Sequence, residues 1–389
     1  MQTITNIPDG YALTRHFSQI YTLYSGEAYP ERVDAPFEVR RLLCALHRRA
    51  GVPEPAGECV DWPLPEVRWD TRKIVVGFSG GKDCTATALR AREEGLEPHL
   101  FFLEGLNRSV AGSEKRCAAA VAQAAGMPLA VRNLKIAGPK SSKDHPLKNL
   151  LILCAMMDYG ATIGAAWYGI GSHFDENTTH GNMDYDMSDS QDLIYALMRF
   201  AQRKRYVAGF KTYLFSTTHA YYVIYRNDPS LLDRISTCVT PDYRKPNVYR
   251  ANLRKYGPGL ILPDRCGTCH KCGEEYVMRV RLGLAPMNPA YYEKAFKARE
   301  DFKKNYIADF PRDPGTNAYG GRNAEGVQVL SDRIGYFIGR LTIDAGLHKW
   351  FPDRFYGRRH YDSRERAEEV MRRFVKLYKL ADIGGPAGA

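Results

Sequence analysis

Residues 73–95 read KIVVGFSGGKDCTATALRAREEG, and the fold is decided there. The β-branched run at 74–78 reads as a buried strand, Ser79-Gly80-Gly81-Lys82-Asp83 as a turn, and residues 85–94 as a helix stopped by Gly95. Working outward, the alternation repeats. PHLFFLEG (98–105) is a second strand, and SEKRCAAAVAQAAG (113–126) a helix with Ser113 as N-cap and Gly126 as its stop. PLAVRNLKI (128–136) is a third strand, residues 147–164 a further helix, and AAWYGIGS (165–172) a short strand ending in glycines. Alternating elements of this kind define an α/β chain, a parallel sheet with helices on both faces. Ligands in such sheets bind outside the carboxyl ends of the strands, and the opening turn lies at one of those ends.

A glycine turn between a strand and a helix start presents backbone N–H groups to an anion, and the helix dipole adds to the attraction. Lys82 adds positive charge, Ser79 a hydroxyl donor, and Asp83 a ligand for Mg²⁺ or an orienting acceptor. The turn is not a Walker A loop: Val76 stands where that motif has its first glycine, and Asp83 follows Lys82 where it needs Ser or Thr. The dinucleotide fingerprint G-x-G-x-x-G is absent from the turn as well. The stretch resembles the PP-loop, S-G-G-x-D-S, of the N-type ATP pyrophosphatases, whose fold is that of the adenine nucleotide alpha hydrolases. Ser79, Gly80, Gly81 and Asp83 match, while Cys84 replaces the second serine and leaves Thr85 as the nearest hydroxyl. The resemblance implies that residues 79–85 hold the phosphates of Mg·ATP, which is cleaved to AMP and pyrophosphate, with Lys82 and Asp83 acting in catalysis.

Nine cysteines are an odd number for a disulfide framework, and three are clustered in PDRCGTCHKCGEEY (263–276). Cys266, Cys269 and Cys272 supply three thiolates. His270 is too close in sequence to be a comfortable fourth ligand, and Cys238 in RISTCV (234–239) is the better candidate. A tetrahedral four-cysteine Zn²⁺ site is the expectation, with an iron–sulfur cluster as the rival metal. Zinc here is expected to be structural.

A PP-loop followed by one cysteine and then C-x-x-C-x-x-C is similar to the 7-cyano-7-deazaguanine synthase family, over roughly residues 73–285 of the 389. HPLKNLLIL (145–153) resembles that family's Pro-x-Arg-Asn element, which places Lys148 and Asn149 at the basic–amide pair. The segment 167–194 resembles the one carrying two acids toward the base, which implies Asp175 and Asp189 as substrate ligands. Departures are visible too. The acidic segment and the interval from Cys238 to Cys266 are both longer than the family's, and Glu275 stands where the family has an arginine. The implied chemistry is attack of a carboxylate on the α-phosphorus, displacement of AMP by ammonia to give an amide, and a second adenylation leading to a nitrile. Lys148 would pair with the substrate carboxylate or the α-phosphate.

Three segments are expected: a mostly helical extension at 1–70, a PP-loop ATP pyrophosphatase domain with the zinc element at its end at 71–285, and a helical, basic and aromatic extension at 286–389. In the first, PFEVRRLLCALHRRAG (36–51) is helical and residues 52–70 read as an extended Pro-rich linker. In the last, Asp362 with Glu365 resembles a capping box before an amphipathic stripe that includes Val370, Phe374 and Leu377. The formal charge of +11, with a pI near 9.1, favours polyanions without naming one. Apolar runs fall short of the roughly 18 residues of a membrane span, and the start lacks a signal-peptide layout, so a cytoplasmic protein with no membrane partner is expected. The partners read from the chain are a deazapurine-like small molecule and free ammonia, since no glutaminase motif is evident. A homodimer stays an open option. A macromolecular acceptor, nucleic acid or protein, is the alternative, motivated by RFAQRKRYVAGFK (199–211) and WFPDRFYGRRHY (350–361). A non-catalytic nucleotide-binding module is the third reading.

Overall fold

The computed structural model describes residues 3–24, 29–105, 111–137, 147–171, 196–211 and 217–236, together with Glu275 and Arg279. Asp175, Asp189, the four candidate metal cysteines and the C-terminal amphipathic stripe lie outside them.

In chain order the elements are β1 (Thr3–Thr5), α1 (Ala12–Tyr24), α2 (Phe37–Arg49), β2 (Asp70–Gly77), α3 (Lys82–Glu93), β3 (Glu97–Glu104), α4 (Ala111–Ala125) and β4 (Leu129–Asn133). They continue with β5 (Lys135–Ala137), α5 (Lys148–Ile163), β6 (Ala165–Gly169), a helical stretch at 196–203, β7 (Gly209–Lys211), α6 (Thr217–Asn227) and a 3₁₀ turn, Pro229–Asp233. The described residues fall into two compact units. The first holds those up to Ser79, from Arg90 to Gly171 and at 196–211; the second holds Gly80–Leu89 and those from 217 onward.

The first unit is built on a five-stranded sheet in the order β4-β3-β2-β6-β7, with every neighbouring pair parallel. From β2 the chain moves outward to β3 and β4, then returns to the other side of β2 to lay down β6 and β7. The order therefore reverses between β2 and β6, the place where open α/β sheets bind ligands beyond their carboxyl ends. Ile74, Val75 and Val76 are all fully buried, and since successive strand residues face opposite ways, both faces of β2 are covered.

Helix α5 covers one face, packing on β2, β3 and β6 and carrying α1 on its outer side. Its Leu150, Leu151, Leu153 and the run from Cys154 to Met157 are buried nearly all round, more than the single stripe of a surface helix. The helix comes very near the sheet at Gly160, where a Cβ would fall 2.1 Å from the Tyr168 hydroxyl on β6. One turn of α5 also carries a carboxylate. Asp158 accepts from the backbone N–H groups of Leu13 (3.0 Å) and Thr14 (2.7 Å), from the Thr14 hydroxyl and from the Tyr206 hydroxyl (2.6 Å). It thus closes the N-terminus of α1, whose first N–H groups have no partner within their own helix. Burial nonetheless wins over these bonds and lifts its pKa to about 6.

Residues 3–70 share this core. Leu13, Phe17, Val39 and Leu43 are buried in the same cluster as α5. The Pro-rich stretch has neither helix nor regular strand, but it delivers Trp62 to a buried position, stacked on His16 (5.4 Å) and edge-on to Phe200 (5.5 Å).

Three differences from the sequence reading stand out. Helix α4 starts at Ala111, so Ser113 lies inside its first turn and is not the N-cap. Helix α3 starts at Lys82, three residues before the expected 85, because the Thr85 N–H already closes onto the Gly81 carbonyl at 3.2 Å. The stretch 128–136 is split at Leu134 between β4 and β5, and β5 leaves the main sheet to pair antiparallel with β1.

Candidate functional site

The N–H of Phe78 donates to the Phe101 carbonyl at 2.8 Å, which carries the parallel pairing one residue past the end of β2. Ser79 is exposed; Gly80 is buried with φ +78°, a conformation open to glycine at little cost; α3 begins two residues later. The turn proper is thus only Gly80-Gly81, and Lys82, Asp83 and Cys84 form the first helical turn. That turn carries the positive end of the helix dipole.

Three donors converge on the Gly81 carbonyl: the Thr85 N–H at 3.2 Å, the Thr85 hydroxyl at 2.7 Å and the Cys84 thiol at 3.2 Å. Cys84 and Thr85 are both buried, so in this arrangement their side chains brace the turn. In the sequence reading these two residues belong to the loop 79–85 that the resemblance assigns to phosphate. Lys82 is only 3% exposed, and its ammonium lies 2.9 Å from Asp83 Oδ2. The side chain of Asp83 is the more open partner, at 31%. An incoming polyphosphate would meet backbone N–H groups and a neutralised ion pair. The Asp83 carboxylate is of a type that could hold a divalent cation such as Mg²⁺.

The second unit ties this turn to the segment that leads into Cys238. The Ser236 N–H donates to the Gly80 carbonyl at 3.2 Å, and Ser236 lies two residues before that cysteine. Asp233, at the end of the 3₁₀ turn, pairs with Arg279 at 2.9 Å. Arg279 follows Cys272, so the chain before the first candidate metal ligand meets the chain after the last. Glu275 is fully buried and Arg279 nearly so. Sequence reasoning noted Glu275 as a departure from the family's arginine but passed over Arg279, a basic residue one helical turn further on. The cysteines themselves lie outside the described residues, among which there is no cluster of three metal-ligating side chains.

Lys148 and Asn149 open α5 in the first unit, after Leu147, which makes no side-chain cap. Lys148 is half-buried and Asn149 exposed. The basic stretch 199–211 is less open than its composition implies. Arg203 donates to both carboxylate oxygens of Glu38 (2.7 and 3.1 Å) and of Asp61 (3.2 and 2.9 Å). Lys204 lies 3.6 Å from Asp61, and Lys211 is paired with Glu94 at 3.0 Å over the Trp167 ring. A nucleic-acid phosphate would have to displace these carboxylates.

Fold and turn together define an α/β protein with a parallel sheet and a strand–glycine–helix turn at its central strand. No family model matches the sequence, and no curated protein does either. Among solved structures it is similar to the U34-tRNA thiolase NcsA from Methanococcus maripaludis with its 4Fe-4S cluster, at 11% identity over 56% of this chain and 84% of that one, with a TM-score of 0.35. Among the described residues no helix is long and apolar enough to cross a membrane.

Proposed function

We propose that the chain is an ATP-dependent adenylating enzyme of the PP-loop type, which converts ATP to AMP and pyrophosphate while activating a carboxylate or amide for nitrogen transfer. The acceptor we assign is a deazapurine-like base, as in the 7-cyano-7-deazaguanine synthases, with free ammonia as the nitrogen source. The observation that carries the reading is the turn at Gly80, left-handed at φ +78° and set between the central strand of a parallel sheet and the first turn of α3. In such a cradle the negative charge that grows on a departing pyrophosphate is met by oriented backbone dipoles at no cost of reorganisation.

The substrate carboxylate oxygen attacks the α-phosphorus, the bond to the α–β bridging oxygen breaks, and pyrophosphate leaves with that electron pair. Ammonia then adds to the acyl carbon, and AMP departs as the amide forms. Lys82 and Asp83 hold the phosphates and their Mg²⁺. Lys148 orients the carboxylate, while Asn149, Asp175 and Asp189 read the base. Cys238, Cys266, Cys269 and Cys272 hold a metal, Zn²⁺ in this reading, which stabilises the fold and takes no part in the transfer.

The test is to incubate the full chain with Mg·ATP, 7-carboxy-7-deazaguanine and ammonium, following AMP, pyrophosphate and the mass of the base. AMP and pyrophosphate with an amide or nitrile product are expected. ADP with inorganic phosphate, or no turnover with any acceptor, overturns adenylation. AMP formed only when tRNA, DNA or a protein is added keeps adenylation and moves the acceptor to a macromolecule.

A further inference from the structure

Two consecutive carbonyls of the glycine turn are each held by donors of the second unit, to which Gly80, Gly81 and Ser236 all belong. The Gly81 carbonyl takes the Thr85 N–H, the Thr85 hydroxyl and the Cys84 thiol from the start of α3. The Gly80 carbonyl takes the Ser236 N–H at 3.2 Å. That donor sits on a firm base. Asp228 caps the 3₁₀ turn by accepting the Ser230 N–H at 2.9 Å, and the Ile235 N–H closes onto the Leu231 carbonyl at 3.0 Å. Leu231, Leu232 and Ile235 are fully buried. The Gly81 N–H, by contrast, has no hydrogen-bond partner among the described residues, and Gly81 is only half-buried. An orphan donor of this kind beside a helix start is open to a ligand.

The N–H and C=O of a planar trans peptide point in opposite directions, so fixing the Gly80 carbonyl also fixes where the Gly81 N–H points. This peptide lies between two residues without a Cβ, and it can turn over more easily than one flanked by side chains. Turned over, it would present a carbonyl oxygen in place of the N–H and repel an anion. We propose that the Ser236 backbone N–H is the latch against that reversal. Ser236 is then a positioning residue for the pyrophosphate end of the nucleotide, acting through the Gly81 N–H. This rests on the adenylation reading. The latch is made by the main chain of Ser236, and its hydroxyl has no part in it. A donor whose direction is set before the ligand arrives needs no rearrangement as charge gathers on the leaving group.

The experiment measures equilibrium binding of inorganic pyrophosphate and of AMP, with Mg²⁺ present, to three full-length chains. These are the native protein, Ser236→Ala, and the ester counterpart of that alanine variant, with lactate at position 236 so that an oxygen replaces the N–H. Ser236→Ala keeps the N–H and should match the native chain. The ester should bind pyrophosphate about tenfold more weakly, the scale of one hydrogen bond to a charged group. Its AMP affinity should be unchanged, with thermal unfolding confirming the fold. Amide exchange in the native chain needs no variant. The Ser236 N–H should be protected throughout, and the Gly81 N–H should become protected only when pyrophosphate is added. The latch is overturned by equal pyrophosphate binding in the alanine and ester chains, or by equal weakening of both ligands in the ester. Rapid exchange at Ser236, or exchange at Gly81 that ignores pyrophosphate, overturns it as well. In each of these cases adenylation stands if the native chain forms AMP and pyrophosphate from Mg·ATP. A native chain that binds no pyrophosphate and forms none from ATP overturns the adenylation reading and the latch with it.

Discussion

At Gly80 a single backbone angle decides whether the turn can exist. A side chain at φ +78° costs about 1–2 kcal/mol of strain, and under the proposed function that strain falls in the turn assigned to phosphate. Gly80→Val is therefore expected to abolish pyrophosphate release while lowering the unfolding free energy by only about 2 kcal/mol. A wild-type rate in that variant would show that the turn does not hold phosphate. Asp158 is the second residue whose chemistry can be read directly. Asp158→Ala strands two backbone N–H groups and two hydroxyls in the core, and a loss of about 3–5 kcal/mol in urea titration is expected. The pH dependence has a definite sign. The native carboxyl titrates near pH 6 against 3.8 when unfolded, so the native state binds the proton more tightly. Its contribution is complete below about pH 3.8, is lost as pH rises to about 6, and is flat above. Asp158→Asn should remove this falling segment from the stability profile, and an unchanged slope would assign it to other groups.

At the scale of elements, α5 is held against the sheet by the absence of a side chain at Gly160. Gly160→Ala places a methyl 2.1 Å from the Tyr168 hydroxyl and 2.6 Å from two of its ring carbons. A loss of about 1–3 kcal/mol is expected, and Tyr168→Phe should not restore it, because the ring carbons clash too. Full recovery in the double variant would mean that the hydroxyl alone sets the spacing. What could be read from sequence at this scale followed from periodicity. The buried runs at 74–76 and 100–102 announced β2 and β3, and Gly95 and Gly126 marked where helices stop. The three-residue strands β1 and β7 were not legible, and β5 was read as the tail of β4, since three residues carry no period and their pairing is set by partners far away in the chain. The candidate site divides the same way. Ser79 to Asp83 could be read because glycines, a lysine and an acid are adjacent in sequence. The ion pair that occupies Lys82, the braces at Cys84 and Thr85, and the Ser236 contact depend on three-dimensional closure.

Across the whole molecule, composition announced a cationic chain, yet in the stretch 199–211 three cations already face carboxylates of their own unit. Net charge measures long-range attraction and leaves open which cations are available for contact. A boundary near residue 70, natural from the Pro-rich sequence, separates residues that share one core with α5. A chain starting at residue 71 would expose the outer face of α5 and leave Asp158 without the α1 N–H groups that it caps. Such a truncation is expected to aggregate or to bind a hydrophobic dye strongly, whereas a sharp cooperative melt would show that residues 71 onward fold alone.

The cap on α1 also imposes a schedule on synthesis. Thr14 and Asp158 are 144 residues apart, so at about 5–20 residues per second the helix waits roughly 7–30 s for the carboxylate that closes its end. During that interval Leu13, Phe17, Ile20 and Tyr21, all buried in the finished protein, have no α5 to cover them. Helix α1 is thus made well before its anchor, and in a crowded cell its apolar stripe is a part of the nascent chain that a chaperone would be called on to shield.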